Sequence, residues 1–315
     1  MNAQRGRGAC RGLEMMTRRA TGITGLMPLL WLAITLALPW TQGSVFAQEF
    51  PPPAVQEQAT AIARLAVPVP MATVPAGWFL MGTPRTDEIS LGLDGPYDDT
   101  EQPQRRIWLD PFEIDRDEVS LGNYLAWLLQ TSRQPELELA REMVIARARK
   151  VPEAALAAWP VFYVRWFEAD AYCRSLGKRL PSEAEWEKAA RGTEGRLFPW
   201  GALAPAPELA VFSRQIENAV LPIAPADSFP TGRSPYGLLH MAGNVAEWVQ
   251  DWGGIDIYMS MPERNPTGPA TGRYKIVRGG SWRSSQAMLR TATRGGAPPM
   301  FSSSTIGFRC ARFLP

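Results

Sequence analysis

The sequence predicts a single α+β domain that is rich in loops. Short apolar segments with the alternation of β-strands stand beside segments with helical periodicity, and no internal repeat is evident. The chain has 27 Gly and 29 Pro among 315 residues, and its 12 Trp are scattered, which argues against a helical bundle. A net charge of only +2 and an aromatic content of 10% exclude intrinsic disorder for most of the chain.

The N-terminal 47 residues predict a secretory signal peptide. Arg18 and Arg19 precede an apolar run over residues 22–39, and small side chains follow at the −3 and −1 positions of a cleavage site after Ala47. We therefore expect cleavage there and a periplasmic or secreted protein. The alternative is an uncleaved leader, because the run approaches the length that spans a bilayer; the sequence predicts membrane contact only through that leader.

Charge and composition separate the leader from the rest of the chain. The leader carries five Arg against one Glu, a net charge of +4, so the body after residue 47 carries −2. This body lacks the clustered Lys and Arg on which nucleic-acid binding rests, so the sequence predicts no nucleic-acid partner. Residues 48–71 are rich in Pro, Gln and Ala and predict a linker. The domain itself is expected over residues 72–315.

The first part of the domain predicts short strands and then a helix. Residues 74–82 are apolar and bounded by turn formers, which favours a strand. Residues 83–104 are polar and predict a loop. Residues 106–115 alternate and predict strand segments interrupted by Pro111. Ser120 then predicts the N-cap of a helix.

Further helices are predicted before residue 192. Residues 135–158 form a helical stretch broken at Pro152, and residues 167–176 predict a helix that ends at Gly177. Ser182 is followed three residues later by Glu185, which is the pattern of a capping box at the start of another helix. After residue 192 Trp, Pro and Gly recur at short intervals, and we expect irregular structure.

The cysteines fit an exported protein. Cys10 lies in the leader, which leaves Cys173 and Cys310 in the body. An even pair in an oxidising compartment predicts one disulfide bond, and two unrelated buried thiols are the alternative. Two Cys and the single His240 are too few ligands for a closed zinc site.

Four ordered blocks of sequence carry a family resemblance. They resemble the sulfatase-modifying-factor, or formylglycine-generating-enzyme, domain over about residues 72–315. The resemblance implies an irregular, loop-rich α+β fold related to C-type lectins, and it implies that the two body cysteines bond to each other. The blocks are 74–82 with 112–119, 171–186, 236–248, and 277–282 with 306–310.

The same resemblance implies a calcium site in the third block. Mapped onto this chain, Gly243 and Val245 would offer carbonyl oxygens and Glu247 a carboxylate, which are ligands that Ca²⁺ prefers. The family position that supplies an amide or carboxylate oxygen is His240 here, and imidazole is a poor calcium ligand. The alternative is that Asn244 and Glu247 hydrogen-bond the local backbone.

The chain departs from the family at the catalytic cysteines. Formylglycine-generating enzymes oxidise a substrate cysteine with copper and oxygen, using two cysteines shortly after the Gly-Gly-Ser block, and soft thiolates hold Cu(I). Those positions fall at Ser284 and Leu289 here, and residues 282–309 contain no cysteine. We therefore expect no copper site in this segment, and the sequence assigns no catalytic residue.

The remaining side chains of that segment suggest a binding groove. Trp282 and the arginines would line the groove that holds the active site in the family's enzymes, and would bind an extended peptide or an acidic ligand there. The alternative is that Trp282 belongs to the core and the arginines pair with carboxylates of the fold. The candidate groove residues are Ser281, Trp282, Arg283, Ser284, Arg290 and Arg294.

Two functions follow as expectations. The first is an exported accessory or maturation factor of the cell envelope that binds a peptide or protein. The second is a thiol-independent oxidoreductase acting on a peptide-derived small molecule, as in a cysteine-free secreted branch of the family that matures the siderophore pyoverdine. The family's iron-dependent sulfoxide synthases need a His-rich site, which a chain with one His excludes.

Overall fold

The computed structural model describes residues 53–84, 99–254 and 256–314. The predicted signal peptide therefore lies outside the described residues. In the part of the chain that is described, short strands form three small sheets, and helices pack beside them. None of the helices among those residues is both long and apolar enough to cross a bilayer.

Antiparallel strand pairs open the domain, as the alternation predicts. Strand β1 (Met71–Val74) pairs with β4 (Phe112–Asp115), and β2 (Gly77–Met81) pairs with β3 (Arg105–Leu109). Pro75 lies between β1 and β2, where the predicted single strand divides, and Pro111 lies between β3 and β4. Strand β3 buries the alternate side chains Ile107 and Leu109, as the alternation over residues 106–115 predicts.

Five strands lie in the region where the sequence predicted irregular structure, so that prediction is wrong there. One sheet has the order β7-β6-β5-β8, with β5 and β8 parallel and the other pairs antiparallel; β9 joins β4 at the edge of the first sheet. Strands β5, β6 and β8 are largely buried on both faces, and β7 and β9 are only four and three residues long, so none of the five shows a readable alternation. Their bounds are β5 Ala246–Trp252, β6 Lys275–Arg278, β7 Arg294–Ala297, β8 Ile306–Phe308 and β9 Ala311–Phe313.

Helices α2 and α6 begin, and helix α5 ends, at the predicted signals. Ser120 Oγ accepts from Asn123 N at 3.3 Å at the start of α2. Both hydrogen bonds of the Ser182–Glu185 capping box are present at the start of α6, and Gly177 after α5 has a φ of +67°. The helices are α1 Pro53–Ala63, α2 Leu121–Gln130, α3 Leu137–Ala148, α4 Glu153–Ala158, α5 Trp166–Ser175, α6 Glu183–Arg191 and α7 Ile257–Ser260.

Helix α1 overturns part of the linker prediction for residues 48–71. Its Val55, Ala59 and Ile62 are buried, and Ala59 and Ile62 belong to the main core cluster with side chains of α2. A helix that packs its apolar side chains into the core is part of the domain, so the linker prediction is wrong for residues 53–63. Pro, Gln and Ala suited a linker by composition, but Ala and Gln are also good helix formers.

The predicted disulfide is present. Cys173 on α5 is bonded to Cys310, between β8 and β9, with Cα atoms 5.6 Å apart. Both residues are fully buried in the main core cluster. The bridge closes a loop of 137 residues, for which the chain-entropy model gives a stabilisation of about 5 kcal/mol.

Candidate functional site

The segment that follows β6 begins with a tight turn, which we call the 281–284 turn. Gly280 precedes it with a φ of +69°, and a Cβ at that position would lie 2.9 Å from the Met288 carbonyl oxygen. Within the turn, Ser281 N donates to Ser284 Oγ at 2.9 Å. Glycine is therefore required here by both backbone conformation and space.

Neighbouring backbone holds this turn from two sides. Trp282 N donates to the Asn244 carbonyl at 2.7 Å, and Trp282 O accepts from Arg214 N at 2.8 Å. Ser213 N donates to Ser284 O at 2.9 Å. The turn is thus fixed by hydrogen bonds to two separate loops.

Trp282 lies in the core and does not line a groove. Its side chain is only 2% exposed, belongs to the main core cluster, and donates from Nε1 to Ser304 O at 3.0 Å. For this residue the structure corresponds to the alternative in which Trp282 is part of the core. Burial of a large aromatic ring with its N–H satisfied is a stabilising use of Trp.

Arg290 and Arg294 also face the interior. Arg290 forms two 2.7 Å hydrogen bonds to Glu101, and both residues are buried. Arg294 donates to both carboxylate oxygens of Glu183, at 2.6 and 2.9 Å. Burial raises the pKa of Glu183, but the adjacent Arg294 and Arg278 outweigh it and hold that pKa below the usual value. The groove prediction is therefore wrong for these two arginines, because buried carboxylates already occupy their guanidinium groups.

The two positions that the family resemblance assigns to catalytic cysteines have different surroundings. Leu289 is fully buried among Phe198, Ala210, Phe212 and Ala242 in a small apolar cluster. Such a cluster offers no ligand to a metal ion.

Ser284, at the other position, is half-buried. Its Oγ accepts the Ser281 N–H of the turn, and Ser281 itself is 4% exposed. Of the six candidate groove residues only Arg283 is exposed to solvent. Arg214, which no sequence motif singled out, is exposed on the segment that is hydrogen-bonded to the turn.

The residues at the implied calcium site do not fit a calcium ion. Glu247 is fully buried, and its two oxygens accept from Arg309 at 2.6 and 2.7 Å and from Trp186 Nε1 at 2.8 Å. A guanidinium group thus already neutralises the carboxylate that calcium would need. Among the residues that the structure describes, no group of three His, Cys, Asp or Glu side chains is arranged to hold a metal.

His240, at the position where the family has an oxygen ligand, is a neutral side chain. Burial, with a smaller contribution from Arg309, lowers the pKa of His240 to about 3. Its Nε2 lies 3.1 Å from Pro225 O and 3.2 Å from Ser228 Oγ. A carbonyl can only accept, so Nε2 carries the proton and Nδ1 is left as a buried acceptor without a partner in the described structure. Gly243 and Val245 contribute backbone to this region but no carboxylate.

Asn244 connects the turn to a buried acid that no sequence pattern singled out. Its Oδ1 accepts from Ala224 N at 3.0 Å, and its Nδ2 donates to Glu118 Oε2 at 2.7 Å. Burial, together with the nearby charge of Glu247, raises the pKa of Glu118 well above its usual value. Burial thus disfavours the charged form of Glu118, although this residue lies in a run of acidic residues that the sequence alone would place in solvent.

Comparisons with known proteins agree with the predicted family. The chain matches the Sulfatase-modifying factor enzyme 1-like domain over residues 58–314. Formylglycine-generating enzyme of Mus musculus is 33% identical over 288 residues, which cover 76% of this chain and 74% of that protein. Inactive C-alpha-formylglycine-generating enzyme 2 of Mus musculus is 30% identical over 285 residues, covering 76% of this chain and 85% of that protein.

A solved structure is similar over nearly its whole length. PvdO from Pseudomonas aeruginosa superimposes with a TM-score of 0.61 and 26% identity, covering 78% of this chain and 94% of that chain. The α+β, formylglycine-generating-enzyme-like fold predicted from the sequence blocks is thereby confirmed.

Proposed function

The chain belongs to the sulfatase-modifying factor enzyme 1-like family, and from that premise we propose that it is an exported accessory or maturation factor that binds a peptide or protein in the cell envelope. One observation carries the proposal. Both cysteines of the body are bonded to each other, 137 residues apart in sequence, so no free thiol remains in residues 53–84, 99–254 and 256–314.

The missing thiols bear directly on the family's chemistry. Copper-dependent oxidation of a substrate cysteine needs soft thiolate ligands, and this chain offers a half-buried hydroxyl at Ser284 and a buried isobutyl group at Leu289. A relative of similar identity is named as an inactive formylglycine-generating enzyme. Binding without cysteine oxidation is therefore the function that these residues support best.

The surface beside the 281–284 turn supplies the proposed contact. Arg283 and Arg214 are exposed there, while the other arginines of the segment are held by buried carboxylates. Two exposed guanidinium groups on hydrogen-bonded segments favour an acidic peptide, because Arg binds carboxylates through paired N–H donors. We expect the ligand to be an extended, acidic stretch of polypeptide.

Peptide binding and oxygen consumption, measured together, test this function. The purified protein is screened against arrays of acidic and basic synthetic peptides, and each binder is then tested in an oxygen electrode. We expect acidic peptides to bind without oxygen uptake. Arg283→Ala and Arg214→Ala should each weaken binding several-fold, and Arg273→Ala, another exposed arginine, should not.

The likeness to PvdO favours a second candidate, a thiol-independent oxidoreductase that acts on a peptide-derived small molecule. Its signature differs from that of a binding protein. Oxygen uptake that persists after thiol alkylation, with any peptide-derived substrate, would contradict the accessory role and support this activity. Oxygen uptake that alkylation abolishes would contradict both candidates.

Export is a separate part of the proposal. A C-terminally tagged chain expressed in a bacterium is fractionated, and its N-terminus is sequenced. We expect a periplasmic or secreted protein that begins at Gln48. A cytoplasmic chain that retains residues 1–47 would contradict export.

A further inference from the structure

A cavity of about 420 Å³ opens beside the N-terminus of α2. One wall is the segment that joins α1 to β1, and the opposite wall is α4. The volume lies within the range of small-molecule sites in proteins. None of the residues that line it belongs to the 281–284 turn. The apolar lining includes Leu65, Val67, Val69, Ala154, Ala157 and Ala158.

Hydrogen bonds to the backbone hold the cavity open. Asn123 Nδ2 donates to Val67 O at 2.8 Å, which fastens the α1–β1 segment to α2. Arg116 N donates to Pro70 O at 2.8 Å and fastens the other end of that segment. The two walls are therefore positioned before any ligand arrives, which lowers the entropy cost of binding.

The cavity leaves large apolar side chains exposed at its edge. Leu65 is 44% exposed and Val67 is 66% exposed. Both side chains line the cavity and are available for contact with a ligand. A ligand with an apolar body would bury both side chains.

Charge at the mouth indicates the polar part of the ligand. Arg116 and Asp117 form a pair with hydrogen bonds of 2.8 and 2.7 Å, so their charges cancel. Asp227 adds a second carboxylate, and it is exposed; the Asp117 hydrogen bond and the Asp227 charge together raise the pKa of Arg116. Glu118 lies at the buried end, where burial raises its pKa well above the usual value. Because Arg116 and Asp117 neutralise each other, the exposed Asp227 leaves an excess of negative charge among the groups that line the cavity.

We propose that this cavity binds a small organic cation with an apolar body, of the alkylammonium class. The apolar body lies between Leu65, Val67 and the alanines of α4. The cationic group lies at the mouth beside Asp227. The inference does not depend on the proposed function, because peptide binding was assigned to a different surface.

Three probes of equal chain length separate the contributions of apolar contact and of charge. Octylammonium, octanol and octanoate are titrated into the purified protein by calorimetry. We expect octylammonium to bind about fivefold more tightly than octanol, since a partly exposed ion pair contributes up to roughly 1 kcal/mol. Octanoate should bind more weakly than octanol. Equal affinity for the three probes, or tighter binding of octanoate, would overturn the assignment to cations.

Two variants test the location without disturbing the core. Ala154 is an exposed residue of α4 that lines the cavity, so Ala154→Trp should block the opening and weaken octylammonium binding by on the order of tenfold or more. Asp227→Asn should reduce octylammonium to the affinity of octanol.

Matched changes at exposed positions elsewhere serve as controls. Ala202→Trp and Glu208→Gln should leave the binding of all three probes unchanged. Unaltered octylammonium binding in Ala154→Trp would place the ligand outside this cavity. Failure of every probe to bind the unmodified protein would overturn the site itself.

Discussion

The segment after β6 and the cavity beside α4 use charge in opposite ways. In the first region the buried arginines are each bound to a carboxylate from a distant part of the chain, as Arg290 is to Glu101 and Arg294 is to Glu183. In the second region Glu118 is buried without an arginine bound to it, and Asp227 is exposed. The arginines in the segment after β6 are thus paired inside the fold. The open cavity lies beside α4.

Arg290 and Arg294 are buried in this segment, so they are compatible with a stable fold only if their charges are neutralised. A buried charge without a partner costs several kcal/mol. Most of the residues that were predicted to line a groove are therefore buried parts of the fold. Of the six candidates only Arg283 is exposed.

The largest expected effect comes from breaking an internal pair in the first region. Arg290→Ala leaves Glu101 buried without its guanidinium partner, and we expect a loss of about 3–5 kcal/mol in the free energy of unfolding. Arg283→Ala, seven residues earlier but exposed, should change it by less than about 0.5 kcal/mol. Urea unfolding measures both, and equal effects for the two variants would erase the distinction between the regions.

A smaller effect is expected at the acid that lacks an arginine. Burial raises the pKa of Glu118 well above its usual value, so we expect the protein to tolerate Glu118→Gln, which fixes a neutral side chain of similar shape at this position. We expect a change of less than about 1 kcal/mol at pH 7. Glu247→Gln, which removes the charge that neutralises Arg309, should cost on the order of 3 kcal/mol in the same assay. A loss of that size for Glu118→Gln would contradict this expectation.

A third acid gives a modest dependence of stability on pH. Burial, partly offset by the Arg165 backbone N–H, raises the pKa of Glu168 from 4.5 to about 7, with a further contribution from its hydrogen bond to Glu136. The folded state therefore keeps this proton longer than the unfolded state. The stabilisation is fully present below about pH 4.5 and is lost as pH rises through about 7.

Replacement of Glu168 by glutamine tests the direction of this pH dependence. Glu168→Gln keeps a donor toward Glu136 at every pH, so its thermal midpoint should vary less between pH 4.5 and 7.5 than that of the unmodified protein. The exposed Glu138→Gln change should leave the pH profile as it is. A profile for Glu168→Gln that matches the unmodified protein would assign the dependence to other groups.

The smallest expected effect is that of calcium. Because Arg309 and Trp186 already satisfy both oxygens of Glu247, neither excess Ca²⁺ nor a chelator should shift the thermal midpoint measurably. A ligand that binds only the folded state, present at a concentration of a hundred times its Kd, would add about 2.7 kcal/mol to the free energy of unfolding. A rise in the thermal midpoint that depends on calcium concentration would contradict the conclusion that these residues do not fit calcium.

Local signals in the sequence predicted much of the fold. Ser120, Gly177 and the Ser182–Glu185 capping box act within a few residues of themselves, so helix boundaries could be read directly. Helix α1 was missed because its composition resembles a linker, and only packing against α2 distinguishes the two. Strands β5, β6 and β8 were missed because buried strands do not alternate, and β7 and β9 were missed because four and three residues are too few to show a period.

The site was less predictable for a physical reason. Arg290 meets Glu101 across 189 residues of sequence, and no local pattern encodes such a partner. The raised pKa of Glu118 depends on burial and on Glu247, which only the folded chain brings near. By contrast, the Cys173–Cys310 pair followed from counting, since the body holds no other cysteine.

Incubation of the purified protein with Cu(I), oxygen and a cysteine-containing peptide from a sulfatase tests the central claim most directly. The peptide is then analysed by mass spectrometry for the aldehyde, and the protein is analysed for bound copper. We predict unchanged cysteine and no stoichiometric copper, because the 281–284 turn and Leu289 offer no thiolate. Formation of the aldehyde, or one Cu(I) held per chain at this segment, would contradict the account.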